Sequence, residues 1–272
     1  MNPRILALAF LGLVMAASAH AAEPFGDTEH NNGQDFTRPL ARVDARYQYQ
    51  LLKDSRSKNI FTLRSDRPIV LNDHWGIGLR ADLPTDLTNK VSADEPGGAL
   101  RFGLGDVLGQ VLLVRKFDDL WAAAAGTEFV FPTATTGQMG DGKYQVVPTA
   151  GVRRALPVLS HGSFAALLMR YAVDYAGSPK RDSISTLEMA PMFNWVLPHD
   201  WFATLYPSPD IQVNFQDHGA VFLPLDVAIG KTLPGKAVFS VELGFPMYHS
   251  GDLAQFNTTY EFKMEARVGF FY

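Results

Sequence analysis

The chain of 272 residues contains no cysteine, so no disulfide holds it together and thiolate chemistry is excluded. It also lacks long hydrophobic runs: beyond Ala22 no apolar stretch reaches the ~20 residues that a bilayer-crossing helix needs. Positive charge is not in excess either. With 24 Lys and Arg against 28 Asp and Glu and a pI near 6.0, the chain offers no basic face for a phosphate backbone, and nucleic acid is not an expected partner. Yet 47% of the residues are hydrophobic and 12% aromatic. High apolar content without apolar runs requires an alternating pattern.

The first residues stand apart. Met1 to Arg4 is short and basic, Ile5 to Ala17 is apolar, and Ala19-His20-Ala21 closes with small residues at its outer positions. The apolar stretch, about 13 residues, is too short to span a membrane as a helix, and the whole reads as a secretory signal peptide, residues 1–21, cleaved before Ala22. Residues 22–42, with Asn31, Asn32, Gly33 and Gln34, carry no strand pattern. Their polarity suits either a flexible periplasmic leader or a partial plug, and the sequence does not choose.

Residues 43–272 alternate. At the C-terminus Tyr260, Phe262, Met264, Ala266, Val268, Phe270 and Tyr272 fall on one face of a strand, and Glu261, Lys263, Glu265 and Arg267 on the other. In a soluble core those four charges would have to be buried and paired; lipid on one side and water on the other suits both faces. Upstream the same code recurs. Apolar rows through Phe239–Met247, Val221–Ile229, Leu187–Trp195, Ala165–Tyr175 and Trp75–Leu83 oppose Glu242, Asp226, Glu188, Arg170 with Asp174, and Arg80 with Asp82. Helical spacing is absent. Pro191 and Pro224 each remove a ladder donor and imply a bulge or bend.

Cutting at turn signals gives about twelve segments, an even number as in single-chain bacterial barrels: 43–52, 59–66, 73–83, 101–117, 119–132, 143–156, 161–175, 184–197, 200–214, 219–232, 236–248 and 258–272. Tight connections at Phe117-Asp118-Asp119, Leu197-Pro198-His199-Asp200 and Leu233-Pro234-Gly235 alternate with long polar ones at 84–100, 132–142, 176–183 and 249–257. With both termini periplasmic, the long ones all fall outside, the moderate 67–72 stretch being the exception. Trp75, Trp121, Trp195, Trp201, Tyr144, Tyr175, Tyr248 and Tyr272 lie near segment ends, as aromatic girdles do. The expected fold is all-β: a transmembrane antiparallel up-and-down β-barrel of about twelve strands in a bacterial outer membrane, since only closure satisfies every backbone group in lipid. Lipid and lipopolysaccharide would surround it. The terminal strand ending in Tyr272 would engage the barrel-assembly machinery, although Arg267 stands where that signal often has Gly.

By the same alternation Asp44, Arg46, Arg64, Arg80, Asp82, Asp106, Glu128, Arg153, Arg170, Asp174, Glu188, Asp226, Glu242, Glu261, Lys263, Glu265 and Arg267 point inward. Both signs are interspersed, without the one-signed ring that confers ion selectivity.

His161-Gly162-Ser163 has the spacing of an outer-membrane lipid hydrolase but sits beside an expected periplasmic turn, on the wrong side for such work. No His-x-His or Glu-x-x-His spacing suggests a metal. Gly103-Leu104-Gly105-Asp106 and Gly137-Gln138-Met139-Gly140-Asp141-Gly142 lack the strand–helix setting of phosphate loops and read as turns. No enzyme and no cofactor is indicated.

Gly103-Leu104-Gly105-Asp106, a long strand pair, Phe131-Pro132-Thr133, Gly140-Asp141-Gly142 and Pro148 together resemble the outer-membrane "MetA-pathway of phenol degradation" or transporter-like barrel family. The resemblance covers roughly residues 70–272, most sharply 101–157, with Phe131 and Ala134 replacing the Leu and the Gly of its L-P-T-G strand end. It implies a channel associated with catabolism of aromatic or other small organic compounds. The resulting expectation is a passive channel or uptake barrel for small, aromatic or apolar organic solutes. The alternative is a plugged or structural barrel whose lumen charges pair with one another; a lipid hydrolase is the third reading.

Overall fold

The structure, a computed structural model, describes Phe25 and residues 30–92, 94–234, 236–250 and 259–272; residues 1–21 lie outside these. Fourteen strand segments follow one another: β1 (Arg42–Leu51), β2 (Ser57–Val70), β3 (Trp75–Thr88), β4 (Arg101–Leu104), β5 (Val107–Lys116), β6 (Trp121–Phe131), β7 (Lys143–Ala155), β8 (Phe164–Gly177), β9 (Ser185–Val196), β10 (Trp201–Leu205), β11 (Ile211–Asn214), β12 (Ala220–Leu233), β13 (Ala237–His249) and β14 (Phe262–Phe271). All pairings are antiparallel. β14 closes onto β1 in register from Arg42 opposite Phe271 to Leu51 opposite Phe262. β4 and β5 both lie along β3, and β10 and β11 both lie between β9 and β12. Each pair is therefore one broken stave, and the barrel is a closed cylinder of twelve.

Burial is the inverse of a soluble protein's. Asp44, Asp226 and Lys263 are fully buried, while Ile229, Phe239, Phe245 and Phe270 are 43–57% exposed on the outer surface. The apolar rows face outward and the charges inward, as a lipid solvent requires. The segments 101–117 and 200–214, expected as single strands, are each broken, at Gly105-Asp106 and at Tyr206–Asp210. The expected 67–72 connection is shorter: β2 continues to Val70 and turns at once, with Leu71 N–H on the Trp75 carbonyl at 3.0 Å. The exception moves elsewhere: residues 156–163, between β7 and β8 on the same end, outnumber residues 178–184 on the other. At the strand ends on the side of the chain termini, cations cover aromatic rings: Arg115 over Trp75 at 5.0 Å, Arg154 over Trp121 at 5.4 Å and Lys231 over Trp201 at 5.5 Å. These pairs suit the head-group level, where a ring and a cation both find partners.

Candidate functional site: the lumen

Three levels divide the interior. Uppermost is a cavity of about 830 Å³ bordered by Lys58, Lys90, Asp106, Asp141 and Arg181. Outer connections knit around it. Gln138 donates through Nε2 to the carbonyls of Lys90 and Ala99 at 2.6 and 3.0 Å, and Arg181 reaches Asp94 at 2.7 Å. Asp106, in the break between β4 and β5, accepts from the Ala134 and Asp141 backbone N–H groups at 3.0 and 2.9 Å. Thr133 Oγ1 donates to the Gly105 carbonyl and accepts from Val107 N–H, both at 2.9 Å. The glycine, Asp106 and Pro-Thr segments that carried the family resemblance thus meet, fixing the 132–142 connection to the broken strand.

Ile60, Glu128 and Glu188 border both this space and a second cavity of about 420 Å³ at mid-lumen. One part of its wall is apolar, with Leu108, Leu112, Leu168 and Met192. Another part is charged, carried by a ladder of ion pairs that runs from β14 through β1 and β2 to β3. Arg267 meets Asp44 at 3.0 Å, Arg46 joins Asp44 to Glu265 at 3.1 and 3.2 Å, Arg80 holds Asp66 at 2.7 Å, and Arg64 grips Asp82 with two nitrogens. Across the lumen Arg170 pairs with Glu128 at 3.4 Å.

The third level is a floor built by the segment preceding β1. Asn32 donates to Asn194 on β9 at 2.9 Å, and Arg42 donates to the Gly33 carbonyl at 2.8 Å. Asp35, almost fully buried, sits 2.8 Å from Arg38 and 3.0 Å from Arg153 of β7 and accepts from the Thr37 backbone and hydroxyl. Burial alone would raise its carboxyl's pKa; the two guanidiniums and the Thr37 hydroxyl outweigh that and hold it below the ordinary value. Phe25 and Phe36 pack against Leu112, Val114 and Ala124. Their sockets are glycines: a Cβ on Gly76 would lie 2.7 Å from the Phe25 ring, and one on Gly151 2.6 Å from the Phe36 ring. Phe25 and residues 30–41 thus lie packed against the inside of this end of the barrel.

Among the expected lumen residues, Arg80, Asp82, Glu128, Arg170, Glu188 and Glu265 border the mid-lumen cavity, and Asp106 the outer one. Arg153 belongs to the floor. Asp174, near the outer end of β8, pairs with Lys143 at 3.2 Å. Glu261 departs from expectation: it precedes β14 in an exposed bend at the outer rim, because the strand begins only at Phe262. Asp226, Glu242 and Lys263 form a compact cluster that spacing could not reveal, since its members come from three strands. The carboxylates of Asp210, Asp226 and Glu242 lie within 4.8 Å of one another. The place a cation would take among them holds the Lys263 ammonium, 3.2 Å from Asp226, 2.6 Å from Glu242 and in contact with Asp210. Ser163 is absorbed by its turn, bonding Ser160 at 2.6 Å and accepting from Val196 N–H at 2.9 Å, while the His161 ring lies edge-on to His30.

Solved structures with the same architecture are outer-membrane channel barrels. A COG4313 outer membrane channel from Pseudomonas putida F1 superposes with a TM-score of 0.65, covering 86% of this chain and 96% of that one at 15% identity. The NanC porin gives 0.54, covering 85% and 99% at 12% identity. At these identities the likeness is one of fold. No family model and no curated protein matches the sequence.

Proposed function

We propose that the mature chain is an outer-membrane channel for small aromatic or otherwise apolar organic solutes, exported by cleavage of residues 1–21 and closed from below by the segment 30–41 as a partial plug. The observation that carries this reading is the mid-lumen cavity. It adjoins the outer space, presents an apolar wall opposite a charged one, and ends on a floor tied by one buried ion pair and two ring sockets. An apolar wall binds a ring, and the facing guanidiniums orient a polar substituent on it. The resemblance at Gly103–Asp106 and Phe131–Thr133 points to the same solute class. The lipid-facing rows and the aromatic strand ends support placement among lipid and lipopolysaccharide, with β14 and Tyr272 engaging the assembly machinery.

The test is single-channel conductance of the refolded mature chain in a planar bilayer, with titration of benzoate and benzyl alcohol. Discrete steps blocked by these solutes are expected. A folded, heat-modifiable barrel that stays silent under every applied voltage refutes the channel and leaves the structural reading, in which the ion-pair ladder serves only to fill the lumen.

A further inference from the structure

Arg115 near the end of β5 and Arg154 near the end of β7 fall in the lipid-facing rows of their strands, at the end that carries the chain termini. Both are exposed, and among the described residues no carboxylate pairs with either. The two acids of the nearby β5–β6 turn are engaged elsewhere: Asp118 accepts from Leu120 and Trp121 N–H, both at 2.7 Å, and Asp119 pairs with Lys116 at 3.0 Å. What holds the guanidiniums is aromatic. Arg115 lies 5.0 Å from the rings of both Trp75 and Phe117, and Arg154 lies 5.4 Å from Trp121. Rings cover guanidinium faces and leave the in-plane N–H donors unused.

The strand register brings these donors to one place. Arg115 stands opposite Ala123 of β6, and Arg154 stands opposite Trp121 on the other edge of that strand. Two strand spacings across and two residues along set their Cα atoms roughly 12 Å apart, so two long side chains can meet on one group between them. Toward mid-membrane from that point the lipid face is low. One row runs Leu113, Ala125, Ala150, Met169 across β5 to β8. The two alanines, with Ala123, floor a trough banked by Leu113 and Met169, which are 43% and 39% exposed. Three strand spacings, ~14 Å, separate the banks, wide enough for two acyl chains side by side. The third cation, Lys231, differs. Its row continues into Phe239, and Ile229 stands beside it, both exposed, so that no trough leads from it.

We propose that Arg115 and Arg154 hold the phosphate of one anionic glycerophospholipid, phosphatidylglycerol in kind, whose acyl chains lie along the alanine trough between Leu113 and Met169. Charge decides the class. A phosphodiester accepts charge-assisted bonds from both guanidiniums and leaves a positive surplus. A neutral glycerol head tolerates that surplus, whereas the ammonium of an ethanolamine head would be pressed against it with no free carboxylate to receive it. With the termini periplasmic, this end of the barrel lies in the leaflet built of glycerophospholipid, opposite the one built of lipopolysaccharide. The inference goes beyond the channel reading: it needs the barrel to lie in a bilayer and not to conduct, so a silent pore leaves it standing.

The mature barrel, folded in surfactant, is titrated separately with dioleoyl phosphatidylglycerol and dioleoyl phosphatidylethanolamine, and bound lipid is counted by native mass spectrometry. Wild type is expected to take up one phosphatidylglycerol at a concentration roughly tenfold below that needed for the ethanolamine lipid, the worth of about one charge-assisted bond. Arg115→Gln with Arg154→Gln should erase the difference, and Lys231→Gln should preserve it. Ala125→Trp, which fills the trough and spares both guanidiniums, should weaken phosphatidylglycerol binding. Equal uptake of the two lipids by wild type, or of neither, overturns the site. So does a preference that survives the double exchange, or one that Lys231→Gln removes just as well, since diffuse charge then explains it. Should the double variant fail to give a heat-modifiable barrel, Arg154→Gln alone must narrow the preference.

Discussion

Replacing Asp35 by alanine removes a buried carboxylate that ties the floor to the barrel wall. The side chain is 1% exposed, and its partners Arg153 and Arg38 are 9% and 12% exposed. Removing one member of a buried pair costs about 3–5 kcal/mol because the other charge stays desolvated. That penalty falls on the seated segment alone: once the segment leaves, lumen water reaches Arg153. At about 1.4 kcal/mol per tenfold, the balance between seated and displaced floor shifts by roughly a hundred- to several-thousand-fold. The rings of Phe25 and Phe36, each contributing about 2 kcal/mol by burial, resist this with a comparable sum. The expected result in planar bilayers is larger conductance steps and a longer open dwell time for D35A, with heat-modifiable mobility intact. Exchanging Arg153 for methionine in the same chain should recover much of the wild-type trace, since the guanidinium that D35A strands on the barrel wall is then gone. A folded D35A barrel with wild-type conductance would refute the assignment of Asp35 as the anchor.

The same carboxyl gives a pH dependence. Because its pKa is held below the ordinary value, its contribution is full above that value and fades as the pH falls below about 4; wild-type conductance should therefore rise on acidification, and D35A should lose that response. Gly76→Leu fills the socket in which a Cβ already meets the Phe25 ring at 2.7 Å, so it should raise conductance without lowering the urea midpoint of the barrel. Lys263→Met strands Asp210, Asp226 and Glu242. The cost of about 3–5 kcal/mol should appear in urea unfolding and be partly recovered by adding Glu242→Gln. Leu243→Arg places a charge on the exposed face of β13, and its cost of about 2–4 kcal/mol should be seen only for unfolding from bilayers, not from a polar surfactant.

Strand identity was legible because lipid and lumen impose opposite polarity at every second residue, as Phe239, Val241 and Leu243 against Ser240 and Glu242 illustrate. What escaped was set by non-local geometry. The break at Tyr206–Asp210 leaves a pattern that still alternates on both sides, and only the register against β9 and β12 reveals it. For residues 22–42 the sequence left leader and plug both open because the partners of residues 30–41, Asn194, Arg153 and Gly151, lie more than a hundred positions away. The Lys263 cluster was hidden likewise: four single charges on separate segments converge only when the stave before β12 pairs on through β13 to β14. Glu261 continued an alternation that the strand itself does not, since periodicity does not mark where a strand meets the rim.

The seam between the first and last strands has a bearing on how such a barrel comes to be built. Arg267 and Glu265 of β14 find Asp44 and Arg46 on β1, so the chain's final stretch is matched to its beginning by charge as well as by backbone. A slip of one residue would turn those charges toward hydrocarbon at about 2–4 kcal/mol for each arginine near the midplane. The seam thus proofreads its own register, and a wrongly closed barrel would be driven open again before lipid could seal it.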